Sequence, residues 1–323
     1  MTILGPLLIK DKRLRSTEAF LGTLLNQHGL SSIHPLRIGP RYYVAEARQG
    51  KTPVIFKSCL FPGSTDHLTN EKFGREVLFL SFLQHSRHTL VRKTAPHVYA
   101  AGTRPRAWYI REYIGGATQN VKGGDIRFVP SFFSATNARW IVRFFSALQN
   151  IREHELPKEF RALLYRPNFA AQLLKFMTPH WHTVEKNLEK PAIVSEIKRY
   201  FKKNAKLYDT TRRVLVHQEP YAVHLIKQSQ GWRLIDWENI GWGNAVHDYL
   251  VVWMRASRYP AWQNSFRTLV KRQATVRQFD KLWELEQTIQ SVFNVISWQF
   301  ITRKHDMREL YLFSKKFLLQ KFS

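Results

Sequence analysis

The stretch from Val214 to Asp248, VLVHQEPYAVHLIKQSQGWRLIDWENIGWGNAVHD, constrains this chain more than any other. Two short apolar runs, Val214–Val216 and Arg233–Ile235, read as strands bounded by polar residues. Each ends in side chains able to do chemistry. His217, Glu219 and His224 follow the first run, and Asp236 follows the second. Read as one hairpin over 214–238, the stretch sets a carboxylate and a possible metal ligand beside a second carboxylate.

This stretch resembles the catalytic core of the aminoglycoside phosphotransferase and choline kinase-like family, relatives of the protein kinases. The family pattern is H-G-D-x-x-x-x-N followed, after roughly ten residues, by I-D-W/F-E. Here the first part reads His217-Gln218-Glu219-Pro220-Tyr221-Ala222-Val223-His224 and the second Ile235-Asp236-Trp237-Glu238. Glu219 stands where the family has Asp, and His224 where it has Asn. The resemblance implies a bilobal α+β fold. A small antiparallel-sheet N-lobe would span 1–115, and a large helical C-lobe, 116–323, would carry the 214–238 hairpin. It implies an ATP- and Mg²⁺-dependent transfer of phosphoryl to a hydroxyl, in which positioning and charge do most of the catalysis. Asp236 would hold the metal and Glu219 would orient the hydroxyl. His224 would sit at the second metal position, although imidazole suits Zn or Cu better than Mg²⁺. His217 and Asp248 would brace the loop. Glu in place of Asp moves the carboxylate by about 1 Å, a misplacement that costs on the order of 10²-fold. A pseudokinase that binds nucleotide or anions without turnover is therefore the rival reading.

The same resemblance gives roles to residues nearer the start. Lys57 closes the alternating run TPVIFK and would contact the phosphates, fixed by a glutamate of the next helix. Glu71 and Glu76 are the two choices, about 140° apart around a helix. Phe73, Val77 and Leu80 mark the buried stripe by their four-and-three spacing, which selects Glu76. Glu112, Tyr113 and Ile114, ahead of Gly115-Gly116, match the segment whose backbone contacts adenine. The turn Arg37–Tyr43 lies where a phosphate-covering loop is expected. It holds only Gly39, so Arg37 or Arg41 would have to supply the charge.

Coarse patterning supports strands first and helices later, an α+β arrangement. A helix is expected over about 12–30. Strands are expected at Arg37–Ala47 and Thr52–Lys57, joined at Gln49-Gly50, then a helix over about 69–84, then strands at Pro96–Ala101 and Ala107–Tyr113. Helical patterning dominates 130–208 and 247 onward.

Charge bounds the partners. Lys and Arg number 50 against 24 Asp and Glu, a net +26. Such a field attracts nucleotides, lipid headgroups and other anions and repels cations. The sequence shows no run of acids to reverse this, so a small or lipid-linked acceptor that is neutral or anionic is expected. The basic run Lys198, Arg199, Lys202, Lys203, Lys206, with Arg212 and Arg213, reads as a solvated helix face or a peripheral contact to an anionic surface. No nucleic-acid signature accompanies it, which ranks nucleic acid low. His180 and His182 read as ordinary helix histidines. The single cysteine, Cys59, excludes an internal disulfide and points to a reducing cytoplasm. The opening MTILGPLLIKDKRLR places its apolar part before its basic part, the reverse of a secretory signal.

Overall fold

The computed structural model describes residues 14–121, 127–164, 169–274, 276–298 and 305–323. The reading of the first fifteen residues falls almost wholly outside them. The chain divides into two compact units. The first takes residues 1–116 together with 154–163 and 228–240, and the second takes the rest. A sheet-based first unit and a larger, mostly helical second one fulfil the expected α+β class.

In the first unit, α1 (Arg15–Gln27) precedes three strands, β1 (Leu30–Ile38), β2 (Tyr42–Gln49) and β3 (Thr52–Cys59). Then come α2 (His67–His85), α3 (Thr89–Thr94), β4 (Val98–Gly102) and β5 (Trp108–Glu112). The five strands form one antiparallel sheet in the order β1-β2-β3-β5-β4. Alternation along β3 decides what each face carries. Val54 and Phe56 join Tyr43, Ala45, Ala47 and Ile110 in a core closed by Leu21, Leu24 and Leu25 of α1. Lys57 points to the other face, where α2 packs. Asp66 caps α2 by accepting the Thr69 N–H at 3.2 Å, and Phe73, Val77, Leu80 and Leu83 form its buried stripe.

The strand expected over Arg37–Ala47 is in fact two strands that bend at Gly39–Arg41. β1 was not foreseen as a strand. It is an edge strand, mostly exposed, carrying Pro35 and two irregularities in its pairing. A one-sided edge needs no apolar alternation and tolerates proline, so nothing in its composition announces it.

In the second unit the strand Arg213–Val216 pairs antiparallel with Gly241–Asn244. It does not pair with 233–235, as a simple hairpin would have it. Leu225–Gln228 and Gly231–Leu234 follow one another instead, and the chain passes from the second unit to the first at 227/228. Glycine permits the observed pairing. A Cβ on Gly243 would lie 2.6 Å from a Val216 methyl. The helical core joins Trp181–Leu188, Pro191–Thr210, Phe279–Ser297 and His305–Phe322 through Val184, Ile197, Phe201, Leu285, Val292 and Leu318.

Gly243→Ala is expected to lower stability by about 1–3 kcal/mol through overpacking against Val216. Urea denaturation with an unchanged slope would measure it.

Candidate functional site

Lys57 is buried on the α2 face of the sheet, cross-strand from Tyr109. Its ammonium lies 4.7 Å from the Tyr42 ring centre and 4.6 Å from that of Phe73. Glu76, 1% exposed, reaches up from α2 and accepts from Lys57 Nζ at 3.0 Å. The alternative, Glu71, pairs instead with His67 on its own helix at 3.5 Å. The second carboxylate oxygen of Glu76 accepts the backbone N–H of Trp237 at 3.0 Å.

That bond brings in the Asp236-Trp237-Glu238 segment. Trp237 is fully buried, its indole N–H donating to the Leu234 carbonyl at 2.8 Å. Its ring packs 5.2 Å from Phe79, which stacks on Phe160. With Trp237 anchored in the core, the residues on either side turn outward. Asp236 Oδ1 comes within 3.6 Å of Lys57 Nζ, and Glu238 Oε2 within 3.5 Å. Asp236 holds φ 66°, a left-handed conformation that a non-glycine residue adopts at a cost repaid by its surroundings.

One ammonium thus faces three carboxylates, an excess of two negative charges. Burial alone would lower the Lys57 pKa, but Glu76, with Tyr109, Asp236 and Glu238, outweighs it and holds the lysine protonated well above its usual range. Burial raises Glu76, and Asp236 and Glu238 add to this against the pull of Lys57. Burial and Glu238 together also push the Tyr42 hydroxyl upward. A site short of positive charge retains protons, and it also attracts a cation. Ligand oxygens of Glu76, Asp236 and Glu238 lie within 4.8 Å of one another. An acidic cluster, which no run of sequence suggested, is therefore built from residues some 160 positions apart.

Glu112 serves the framework. It pairs with Arg233, whose guanidinium also donates to the Ala95 carbonyl at 2.9 Å. Its backbone N–H donates to His97, and its carbonyl accepts from Arg111, at 2.8 and 2.9 Å. Tyr113 is 39% exposed and Ile114 is buried. Arg37 and Arg41 are exposed around the turn at Gly39.

The second unit assembles Glu219 and His224. The Glu219 carbonyl accepts from the Tyr221 N–H at 2.7 Å and from His224 Nδ1 at 2.8 Å. A carbonyl only accepts, so Nδ1 carries the proton and the lone pair of a neutral ring sits on Nε2. Behind them, Asp248 is fully buried and accepts the N–H groups of His217 and Gln218 at 2.8 and 2.9 Å. Burial raises its carboxyl to about 6 against the lowering effect of His247 and these two bonds. His247 pairs with buried Glu286 at 2.8 Å. Burial lowers the His247 pKa, yet Glu286, Asp248 and the Gln218 carbonyl raise it overall to about 9.

Sequence reasoning brought together Lys57, Glu76 and Asp236. It read Glu238 no further than a supporting or surface acid, and it missed Tyr42, His247 and Glu286. The position of Glu238 two residues after Asp236 was the available signal. His180 and His182 take no part in the acidic cluster, and Lys202, Lys203 and Lys206 line an exposed face of Pro191–Thr210.

The sequence model of the phosphotransferase enzyme family matches residues 40–284. No curated protein sequence matches. Among solved structures, APH(2")-IIia in its GDP and kanamycin complex is similar with a TM-score of 0.63 and 11% identity, over 94% of this chain and 99% of that one. Macrolide 2'-phosphotransferase MphH from Brachybacterium faecium aligns with a TM-score of 0.56 and 13% identity, over 93% and 97%. ADP-bound APH(2'')-Ib aligns with a TM-score of 0.58 and 15% identity, over 93% and 98%. At these identities the likeness shows the kinase-like fold.

Lys57→Met leaves three carboxylates facing one another and is expected to cost about 3–5 kcal/mol. Adding Glu76→Gln to it recovers part of that loss in denaturant titrations. His247 sets a pH window. The folded protein holds this proton to about 9 against 6.5 for the free side chain, so its contribution is full below 6.5 and lost as pH rises through 9. Stability should fall by up to about 3 kcal/mol across that range, and His247→Asn should flatten the fall.

Proposed function

The chain belongs to the phosphotransferase enzyme family, and from that premise we propose that it transfers the terminal phosphoryl group of ATP, with Mg²⁺, to a hydroxyl of a small molecule. The observation that carries this reading is the convergence of Lys57, Glu76, Asp236 and Glu238 within salt-bridge distance of one ammonium.

The donor set suits magnesium. Its carboxylate oxygens are hard ligands, and one or two protein carboxylates with phosphate oxygens complete such a site. Glu76 is already committed to Lys57 and to the Trp237 N–H, which leaves Asp236 and Glu238, both partly exposed, to hold the ion. When bound, the ion supplies charge neutralisation across the phosphates. Lys57 then exchanges its contacts with Asp236 and Glu238 for phosphate oxygens while Glu76 keeps it in place. We assign backbone recognition of the base to Glu112, Tyr113 and Ile114.

Glu219 is proposed to orient the acceptor hydroxyl and take its proton. Its carbonyl is held by Tyr221 and His224, and its side chain is one methylene longer than that of aspartate. We assign His224 first to that loop, where its Nδ1 donates to the Glu219 carbonyl. A net charge of +26 disfavours cationic acceptors at long range, which favours neutral or anionic ones. Glu219 and His224, standing where the family has Asp and Asn, favour a second reading in which the chain binds nucleotide without turnover.

ATP with Mg²⁺ should raise the melting temperature, and Asp236→Asn should abolish the rise. Glu219→Gln should lower kcat by about 10²–10⁴-fold with little change in nucleotide KM. Binding without turnover across neutral, anionic and cationic hydroxyl acceptors supports the second reading. Absence of nucleotide binding overturns both.

A further inference from the structure

Two aromatic rings close on the Lys57 ammonium, and its pairing with Glu76 gives them no part. On β2 the residue directly opposite Lys57 is Val44. Tyr42, two residues earlier, shares that face and is the diagonal neighbour, a relation within reach of aromatic and long side chains. Phe73 lies on α2 one turn before Glu76, so the two share a helix face. The ammonium sits over both rings, 4.7 Å from the centre of Tyr42 and 4.6 Å from that of Phe73.

The rings meet edge to face, with centres 5.6 Å apart and planes at 70°, and so form a corner around the charge. Phe73 is fixed in turn. It is fully buried and meets Tyr109 edge to face at 5.0 Å, and Tyr109 is the residue opposite Lys57 on β5. The face of an aromatic ring is electronegative and attracts an ammonium, more strongly where water is excluded. Rings and carboxylates differ in what a nucleotide does to them. Asp236 and Glu238, at 3.6 and 3.5 Å, are oxygen donors that a magnesium ion would engage. A phenyl face is no ligand for magnesium and carries no net charge to repel a phosphate. Its attraction for the ammonium outlasts the departure of those two carboxylates.

We propose that Tyr42 and Phe73 are positioning residues for Lys57, a two-ring corner that keeps its ammonium aimed at the phosphates when metal and nucleotide draw Asp236 and Glu238 away from it. This rests on the reading of Lys57 as the phosphate contact. The ring of Tyr42 does the work in this arrangement, and its hydroxyl is dispensable.

Tyr42 is partly exposed, so its variants of the full chain can be compared with thermal melting as a check on folding. Tyr42→Leu should weaken ATP and ADP about tenfold or more and leave adenosine, which has no phosphate, within about threefold of wild type. Tyr42→Phe should restore ATP and ADP to within about threefold. A second measurement needs no nucleotide. Protons over ring faces are shifted upfield, so the Lys57 Hε resonances, assigned by their loss in Lys57→Met, should lie upfield of those of exposed lysines. Tyr42→Leu and Phe73→Leu should each move them back, and Tyr42→Phe should not. Unchanged ATP affinity in Tyr42→Leu overturns the proposal, as does equal weakening of adenosine, failure of Tyr42→Phe to restore binding, or an unshifted Lys57 signal in the wild type. A wild type that shows the shift but binds neither ATP nor ADP overturns the reading of Lys57 itself, and the proposal with it.

Discussion

The candidate site depends on one buried ammonium. Lys57, itself buried, sits among three carboxylates and two aromatic rings, with Glu76 buried and Asp236 and Glu238 partly exposed. A charge buried in this way is tolerated only when it is paired, and pairing it constrains everything nearby. Glu76 must occupy the inner face of α2. The Asp236-Trp237-Glu238 segment must lie close enough for a Trp237 N–H to satisfy the second oxygen of Glu76. Trp237 must be in the core for its neighbours to face outward. The excess negative charge is what the proposed magnesium site would draw on.

The second unit solves a different problem. A loop that presents Glu219 must keep its backbone still without the help of regular structure. It does so with hydrogen bonds: Asp248 accepts two amides, and Tyr221 and His224 donate to the Glu219 carbonyl. The left-handed backbone of Gln218 is held by the buried Asp248 carboxylate rather than relieved with glycine.

The legibility of these features followed their range along the chain. Lys57 and Glu76 were readable because a strand period and a helix period each say which way a side chain points. Asp236 was readable because a strand leads straight into it. The substitution of Glu219 and His224 into the expected motif was equally plain. Glu238 was not, because its direction depends on the burial of Trp237 against Phe79 and Phe160. β1 escaped because an exposed edge strand with a proline needs no pattern. The pairing of Arg213–Val216 with Gly241–Asn244, instead of with the nearer run, hinged on the close approach that Gly243 allows.

By itself the sequence determined that strands come first and helices later, the strong positive charge and the identity of the chemically able residues, since these follow from local periodicity and composition. Tertiary structure alone decided that Glu76, Asp236 and Glu238 share one lysine, and that Glu286 reaches His247 across 39 residues. The reason is physical: electrostatic and hydrogen-bond energies depend on distance in space, and a linear order of residues carries no distance between elements until the core has packed.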